Sequence, residues 1–154
     1  MKIVKVREVK TPTRGTGKSA GLDFYIPDDF PGSHFLAPGQ DVNIPSGIHV
    51  QVPTGMALVA MNRTSVALNK RLQVGACVVD EDYQGEIHLH VTNIGMDIQE
   101  LVPGEKLVQM ILIPVQYCEV EVVGALGELY PEASERGNGA FGSTGNGVTE
   151  LKLF

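Results

Sequence analysis

Positive charge, cysteine pairs, long apolar runs and helical periodicity are all scarce in this sequence of 154 residues. Twelve lysines and arginines face eighteen acids, leaving a formal net charge of −6 at pH 7. Such a chain has no sequence-independent attraction for nucleic acid, so no nucleic-acid partner is expected. A phosphate ligand would need local help from an arginine or a metal ion. The two cysteines, Cys77 and Cys118, form no CxxC pair and imply no disulfide framework. Both fall in apolar, strand-like runs, where a buried free thiol is expected, and they fit a reducing cytoplasm. The longest apolar stretch, residues 107–115, is interrupted by Gln109 and Pro114 and is too short to span a bilayer. No membrane partner is expected. The opening MKIVKVREVK alternates charged and apolar residues, unlike a signal peptide. No internal repeat or second-domain boundary is visible.

Turn formers, by contrast, are plentiful, with eighteen glycines and nine prolines. They cut the chain into short segments. Residues 3–9, 22–26, 41–44, 47–52, 56–61, 107–115 and 119–123 read as strands, residues 28–39 as a loop and residues 93–100 as a turn region. Residues 65–71 form the best helical candidate. Many short strands with turn chemistry between them predict an all-β barrel or sandwich. The stretch ASERGNGAFGSTGNG is too glycine-rich to pack as a strand. It is expected to be mobile until something holds it. The expected division is therefore a β-body over 1–132 and a C-terminal arm over 133–154.

The most informative stretch is VGACVVDEDYQGE at 74–86, followed by the alternating Ile87, His88, Leu89, His90 and Val91. It reads as a β-hairpin with an acidic tip. Asp80 stands where the apolar run stops, a place suited to a general base. Read alone, Asp80, Glu81 and Asp82 favour a solvated turn. GTGKS at 15–19 ends like a Walker A loop, but Pro12 stands where that pattern needs glycine, so a flexible loop is expected. GNGAFG at 137–142 matches GxGxxG without the strand and helix that pattern requires. Its glycines, with Arg136, Ser143 and Thr144, suit an anion, and Phe141 suits stacking on a ring. A disordered tail whose phenylalanine docks on the body accounts equally well for that segment. His88 and His90 share one face of a strand but lack a third ligand, and no histidine-bound metal is expected. Thr64 and Ser65 after Arg63 are expected to cap the helix, a position that can also hold phosphate.

Five motifs together resemble the trimeric deoxyuridine triphosphatase (dUTPase) family, in order and across residues 20–145. They are AGLD at 20–23, NRTSVA at 62–67, VGACVVDEDYQG at 74–85, GEKLVQ at 104–109 and RGNGAFGSTG at 136–145. The resemblance implies a jelly-roll-like β-barrel and a homotrimer with shared active sites. It implies hydrolysis of dUTP to dUMP and pyrophosphate with Mg²⁺, which keeps dUTP low and supplies dUMP for dTMP synthesis. Asp80 would activate the water that attacks the α-phosphorus. Tyr83 would pack under the deoxyribose, and the backbone around Cys77, Val78 and His88 would read uracil. Arg63, Thr64, Ser65 and Gln109 would bind phosphates, and Asp23 would hold a water of the Mg²⁺ shell. The arm would close with Phe141 on the base and Arg136, Gly142, Ser143 and Thr144 at the phosphates. Thr64, Ser65, Cys77, Lys106 and Ala140 depart from the family's usual residues, and residues 146–154 are expected to dock on a neighbouring subunit. Two other readings are a relative of dCTP deaminase and a nucleotide-gated regulatory or binding protein.

Overall fold

The computed structural model describes residues 1–31 and 34–139. The chain divides into two compact units, residues 1–116 and 117–154. The first holds strands β1 (Lys2–Lys5), β2 (Leu22–Tyr25), β3 (His34–Leu36), β4 (Asp41–Gln51), β5 (Met56–Asn62), β6 (Leu72–Val74), β7 (Val78–Val79), β8 (Glu86–Asn93), β9 (Gln99–Leu101) and β10 (Lys106–Pro114), with helix α1 (Thr64–Asn69). One sheet runs β1-β4-β8-β6, a second β2-β10-β5-β7, and β3 pairs with β9. Every paired neighbour is antiparallel. The all-β expectation therefore stands.

Alternation explains which faces meet. In β8, Ile87, Leu89 and Val91 are buried while His88 is exposed. They join Phe24, Ile44, Ile48, Leu58, Leu72 and Met110 in one apolar core. Each large side chain so buried contributes about 2 kcal/mol of hydrophobic stabilisation.

Several elements depart from the sequence reading. The segments at 41–44 and 47–52 are one strand, because β4 crosses Pro45 and Ser46 through a register shift rather than a break. Gly47 supplies the positive φ of 74° there, a conformation side chains disfavour. The expected loop at 28–39 contains β3, too short to show a pattern, anchored by buried Leu36 and Leu101. The first strand ends at Lys5 rather than residue 9. The helix stops at Asn69, and Arg71 takes a positive φ of 51°.

The second unit, as far as Gly139, holds α2 (Leu126–Leu129), a second short helix beyond the one expected. Residues 119–123 are not in a strand, and Val120 and Val122 are about nine-tenths exposed. Their alternation suits a strand, but among the described residues of this unit no neighbouring strand offers a ladder. Cys77 and Cys118 are free and exposed, contrary to the expected burial. Among the described residues, no helix is long and apolar enough to cross a membrane.

Candidate active site

The first functional cluster lies where β2, β10 and α1 meet. Antiparallel pairing sets Gln109 of β10 opposite Asp23 of β2 and Met61 of β5. A cavity of about 370 Å³ there is lined by Gly15, Ser19, Asp23, Arg63, Thr64, Ser65, Gln109 and Gly21. Three separate stretches of sequence thus converge on one space. Gly21 packs closely against Gln109: a Cβ there would lie 2.6 Å from the amide oxygen, and the Gln109 side chain would have to shift. Gln109 in turn donates from Nε2 to the Asn62 carbonyl at 2.8 Å.

Asp23 is the electrostatic centre of this cluster. Arg63 Nε donates to Oδ1 at 2.8 Å, and Lys106 Nζ to Oδ2 at 2.7 Å. Burial pushes the Asp23 carboxyl up, but the hydrogen bonds and charges of Lys106 and Arg63 outweigh it and hold it below the ordinary value. The hydrogen bond to Asp23 pushes the Lys106 ammonium above its ordinary value, against a smaller opposing effect of burial. Arg63 also donates from Nη1 to the Lys106 carbonyl at 3.4 Å. Its Nη2 has no partner among the described residues, so one edge of the guanidinium fork remains for a ligand.

Thr64 and Ser65 do not cap α1 as expected. Arg63 is the N-cap, in extended conformation, and no side chain completes the cap. The two hydroxyls fall inside the first turn and are exposed beside the cavity. The GTGKS stretch is also better ordered than a flexible loop. Ser19 Oγ accepts from the Thr16 N–H at 2.9 Å, and Arg14 Nη1 holds the Ala20 carbonyl at 2.7 Å.

The second cluster is the stretch at 74–86, and it is not a simple hairpin. β6 pairs with β8, with Val74 opposite Val91, and that ladder ends just beyond. The chain then crosses to the other sheet, where β7 pairs with β5 through Val79 and Leu58. The two arms separate, and a cavity of about 250 Å³ opens between them. Ala76, Cys77, Val78, Tyr83, Glu86 and His88 are among its lining, over a floor that includes Ala60, Ile87 and Met110. Once the arms part, the Cys77 carbonyl accepts from the Ala60 N–H of β5 at 2.7 Å, so this backbone is held from the β5 side.

At the acidic tip Asp80 and Asp82 are exposed as a solvated turn would have them, but Glu81 and its flanks are tethered. Glu81 accepts from the Gly55 N–H, Glu86 from the Gly47 N–H at 2.6 Å, and His49 Nδ1 meets the Gln84 carbonyl at 2.9 Å. Tyr83 is 45% exposed, and its hydroxyl donates to the Glu86 carbonyl at 3.0 Å. Its ring lies over Gly85, where a Cβ would come within 2.3 Å of the hydroxyl. Asp80 follows β7, and its carbonyl accepts from the Tyr83 N–H at 3.3 Å. Its carboxylate is exposed and unpaired among the described residues. These tethers fix the loop while leaving the Asp80 side chain exposed.

The two cavities share no lining residue, and Asp80 lines neither. Gln109 lines the first and Met110 the second. As neighbours on one strand they point to opposite faces, so the cavities lie on opposite faces of this sheet. In the second unit, Arg136 Nε donates to the Gly139 carbonyl at 3.0 Å. Phe141, Gly142, Ser143 and Thr144, like residues 146–154, lie outside the described residues. Reading from sequence missed Gly15 and Ser19 in the first cavity and His49 and Glu86 as tethers. Pairing across 35 or more residues leaves no local signal.

A family model described as dUTPase matches residues 7–145. The deoxyuridine 5'-triphosphate nucleotidohydrolase of Mus musculus is 32% identical over 146 residues, covering 94% of this chain and 85% of that protein. Its counterpart in Salmonella arizonae is 36% identical over 138 residues, covering 87% and 86%. Among solved structures, a mutant dUTPase of Staphylococcus bacteriophage 80alpha with dUpNHpp aligns at a TM-score of 0.77 and 19% identity, covering 94% of this chain and 97% of that one. A mutant dUTPase from phage phi11 of S. aureus, described as coordinating a structural Mg(II) ion, aligns at 0.70 and 18% identity, covering 82% and 97%. Those two likenesses speak to the fold, and the family match and the curated relatives speak to descent. The chain belongs to the dUTPase family.

Proposed function

We propose that this chain is a dUTP diphosphatase that hydrolyses dUTP to dUMP and pyrophosphate. The observation that carries the site assignment is the convergence of Asp23, Arg63, Thr64, Ser65 and Gln109 on one cavity, with an arginine edge left free. An acidic chain that gathers arginine, hydroxyls and an amide in one place is suited to phosphate oxygens. Asp80 accepts a proton from water as the water oxygen bonds to the α-phosphorus. The bond from that phosphorus to the bridging oxygen breaks, and pyrophosphate leaves with the electron pair. Tyr83 stacks under the deoxyribose and leaves no room for a 2′-hydroxyl. The separated arms at Cys77, Val78 and His88 receive uracil, reading it through fixed backbone groups.

Magnesium fits this chemistry as an ion carried by the triphosphate. Each Asp23 oxygen accepts one cationic donor and retains a second lone pair, enough for a water of the ion's shell. Among the described residues, no three acids, histidines or cysteines gather into a metal cage. When bound, Mg²⁺ offsets charge on the phosphate oxygens. Because the two cavities lie on opposite faces of one sheet, a substrate spanning both kinds of contact requires more than one copy of the chain. That supports the homotrimer with shared sites. Arg136, Phe141, Gly142, Ser143 and Thr144 close the site from the arm, and residues 146–154 dock on a neighbour. The enzyme works in the cytoplasm, in keeping with its two free cysteines.

With Mg²⁺ and dUTP the protein is expected to release pyrophosphate, and with dCTP to release no ammonia. Ammonia from dCTP would favour a deaminase, and no turnover of either would leave a binding protein.

A further inference from the structure

We propose that His90 is a positioning residue for base selection: it holds the Gly75–Ala76 segment that leads into the base cavity, while Asp41 fixes its tautomer. The proposal rests on the assignment of that cavity to the pyrimidine base. On β8, His90 points away from the core, toward the point where the arms separate. Its Nδ1 accepts from the Ala76 N–H at 3.2 Å, and its Nε2 meets Asp41 Oδ2 at 3.0 Å. A neutral imidazole can accept at Nδ1 only if its proton sits on Nε2, and a carboxylate facing Nε2 selects that form.

The fit is tight. A Cβ on Gly75 would fall 2.0 Å from His90 Nδ1, so only glycine leaves space for the ring. The Gly75 N–H also donates to the His90 carbonyl at 3.1 Å, while the Ala60 N–H holds the Cys77 carbonyl at 2.7 Å from the opposite sheet. The segment is thus clamped from both sides just where Ala76, Cys77 and Val78 begin to line the cavity. The last register pair of β6 and β8 is Val74 with Val91, and just beyond it the imidazole gives the Ala76 N–H its acceptor. Without that acceptor the Ala76 N–H turns to water and the segment gains freedom. The backbone groups facing the base would then shift. The hydrolytic groups at Asp80 would stay in place, tethered through β7 and Glu81. The signature is therefore in KM and base selectivity, not in kcat.

The test compares the full-length wild type with His90→Leu, His90→Asn and Asp41→Leu in the presence of Mg²⁺. Initial rates are measured on dUTP and dTTP, with equilibrium binding of dUMP as an independent readout. His90→Leu is expected to raise KM for dUTP and weaken dUMP roughly tenfold, leave kcat within about twofold, and narrow the preference for dUTP over dTTP. Asparagine keeps an acceptor close to the place of Nδ1, so His90→Asn should recover most of the loss. Wild-type KM and selectivity in His90→Leu, equal defects in the leucine and asparagine variants, or a loss confined to kcat would each overturn the proposal. If His90→Leu fails to fold, Asp41→Leu carries the test: a raised KM supports the role, and an unchanged KM and dUMP affinity overturns it. A wild type that releases no pyrophosphate from dUTP would instead overturn the activity itself.

Discussion

Asp80→Asn is expected to lower pyrophosphate release from dUTP by a factor on the order of 10³ while leaving nucleotide affinity nearly intact. The asparagine keeps the shape and exposure of the side chain but cannot take a proton from water. The surrounding loop has no reason to collapse, because its tethers run through neighbours. Glu81 holds the Gly55 N–H, Glu86 holds Gly47, and Val79 stays paired with Leu58. Single-turnover release of pyrophosphate, set beside equilibrium binding of dUMP, separates chemistry from affinity. Undiminished turnover would remove Asp80 from the role of base, whereas lost affinity would recast it as a binding group.

Asp23→Asn is expected to cost about 2 kcal/mol of stability at pH 7, a lowering of Tm by roughly 6 °C. Loss of one partner from a mostly buried ion pair leaves the Arg63 and Lys106 cations facing a neutral amide. Lys106 lies nearer the surface than Asp23, and solvent screens its share, which keeps the cost below that of a fully buried network. The pH dependence has a definite sign. The Asp23 carboxyl titrates lower in the folded protein than in the unfolded chain. Its stabilisation is therefore present above the unfolded value near about 3.9 and is lost as pH falls through the folded value. Melting temperatures of the wild type and Asp23→Asn should differ at pH 7 and begin to converge as pH falls below about 4. Equal melting temperatures at pH 7 would mean that the triad is too well solvated to matter. The same substitution also removes an acceptor from the phosphate cavity, so dUTP turnover should fall in parallel.

Much of the fold could be read locally. The alternation of Ile87 to Val91 dictates one buried and one open face, and both histidines stand on the open one. Turn residues at Pro53, Thr54 and Gly55 correctly divide β4 from β5. What escaped the sequence are pairings between distant segments. Nothing within residues 74–86 reveals that Val78 and Val79 leave β8 for β5, yet that departure turns an ordinary hairpin into a cavity. The same holds for Glu81. Its carboxylate looks like one of three solvated acids until the Gly55 N–H, 26 residues away, is placed beside it. The site residues were legible mainly through motif order. Asp23, Arg63 and Gln109 are far apart in the chain, and only the register of β2, β5 and β10 explains why they meet. Lys106 stood out as a departure from the family, and the geometry gives it a partner in Asp23. His90 carried no signal beyond its place in the alternation, since its partners Asp41 and Ala76 come from two other parts of the chain.

Water attack on the α-phosphorus of dUTP, with Asp80 as base, fixes which product carries the solvent oxygen. Hydrolysis in ¹⁸O-labelled water followed by mass analysis of both products tests it most directly. Label is expected in dUMP and none in pyrophosphate, with both products lost in Asp80→Asn. Label in pyrophosphate would place the attack on the β-phosphorus and contradict it.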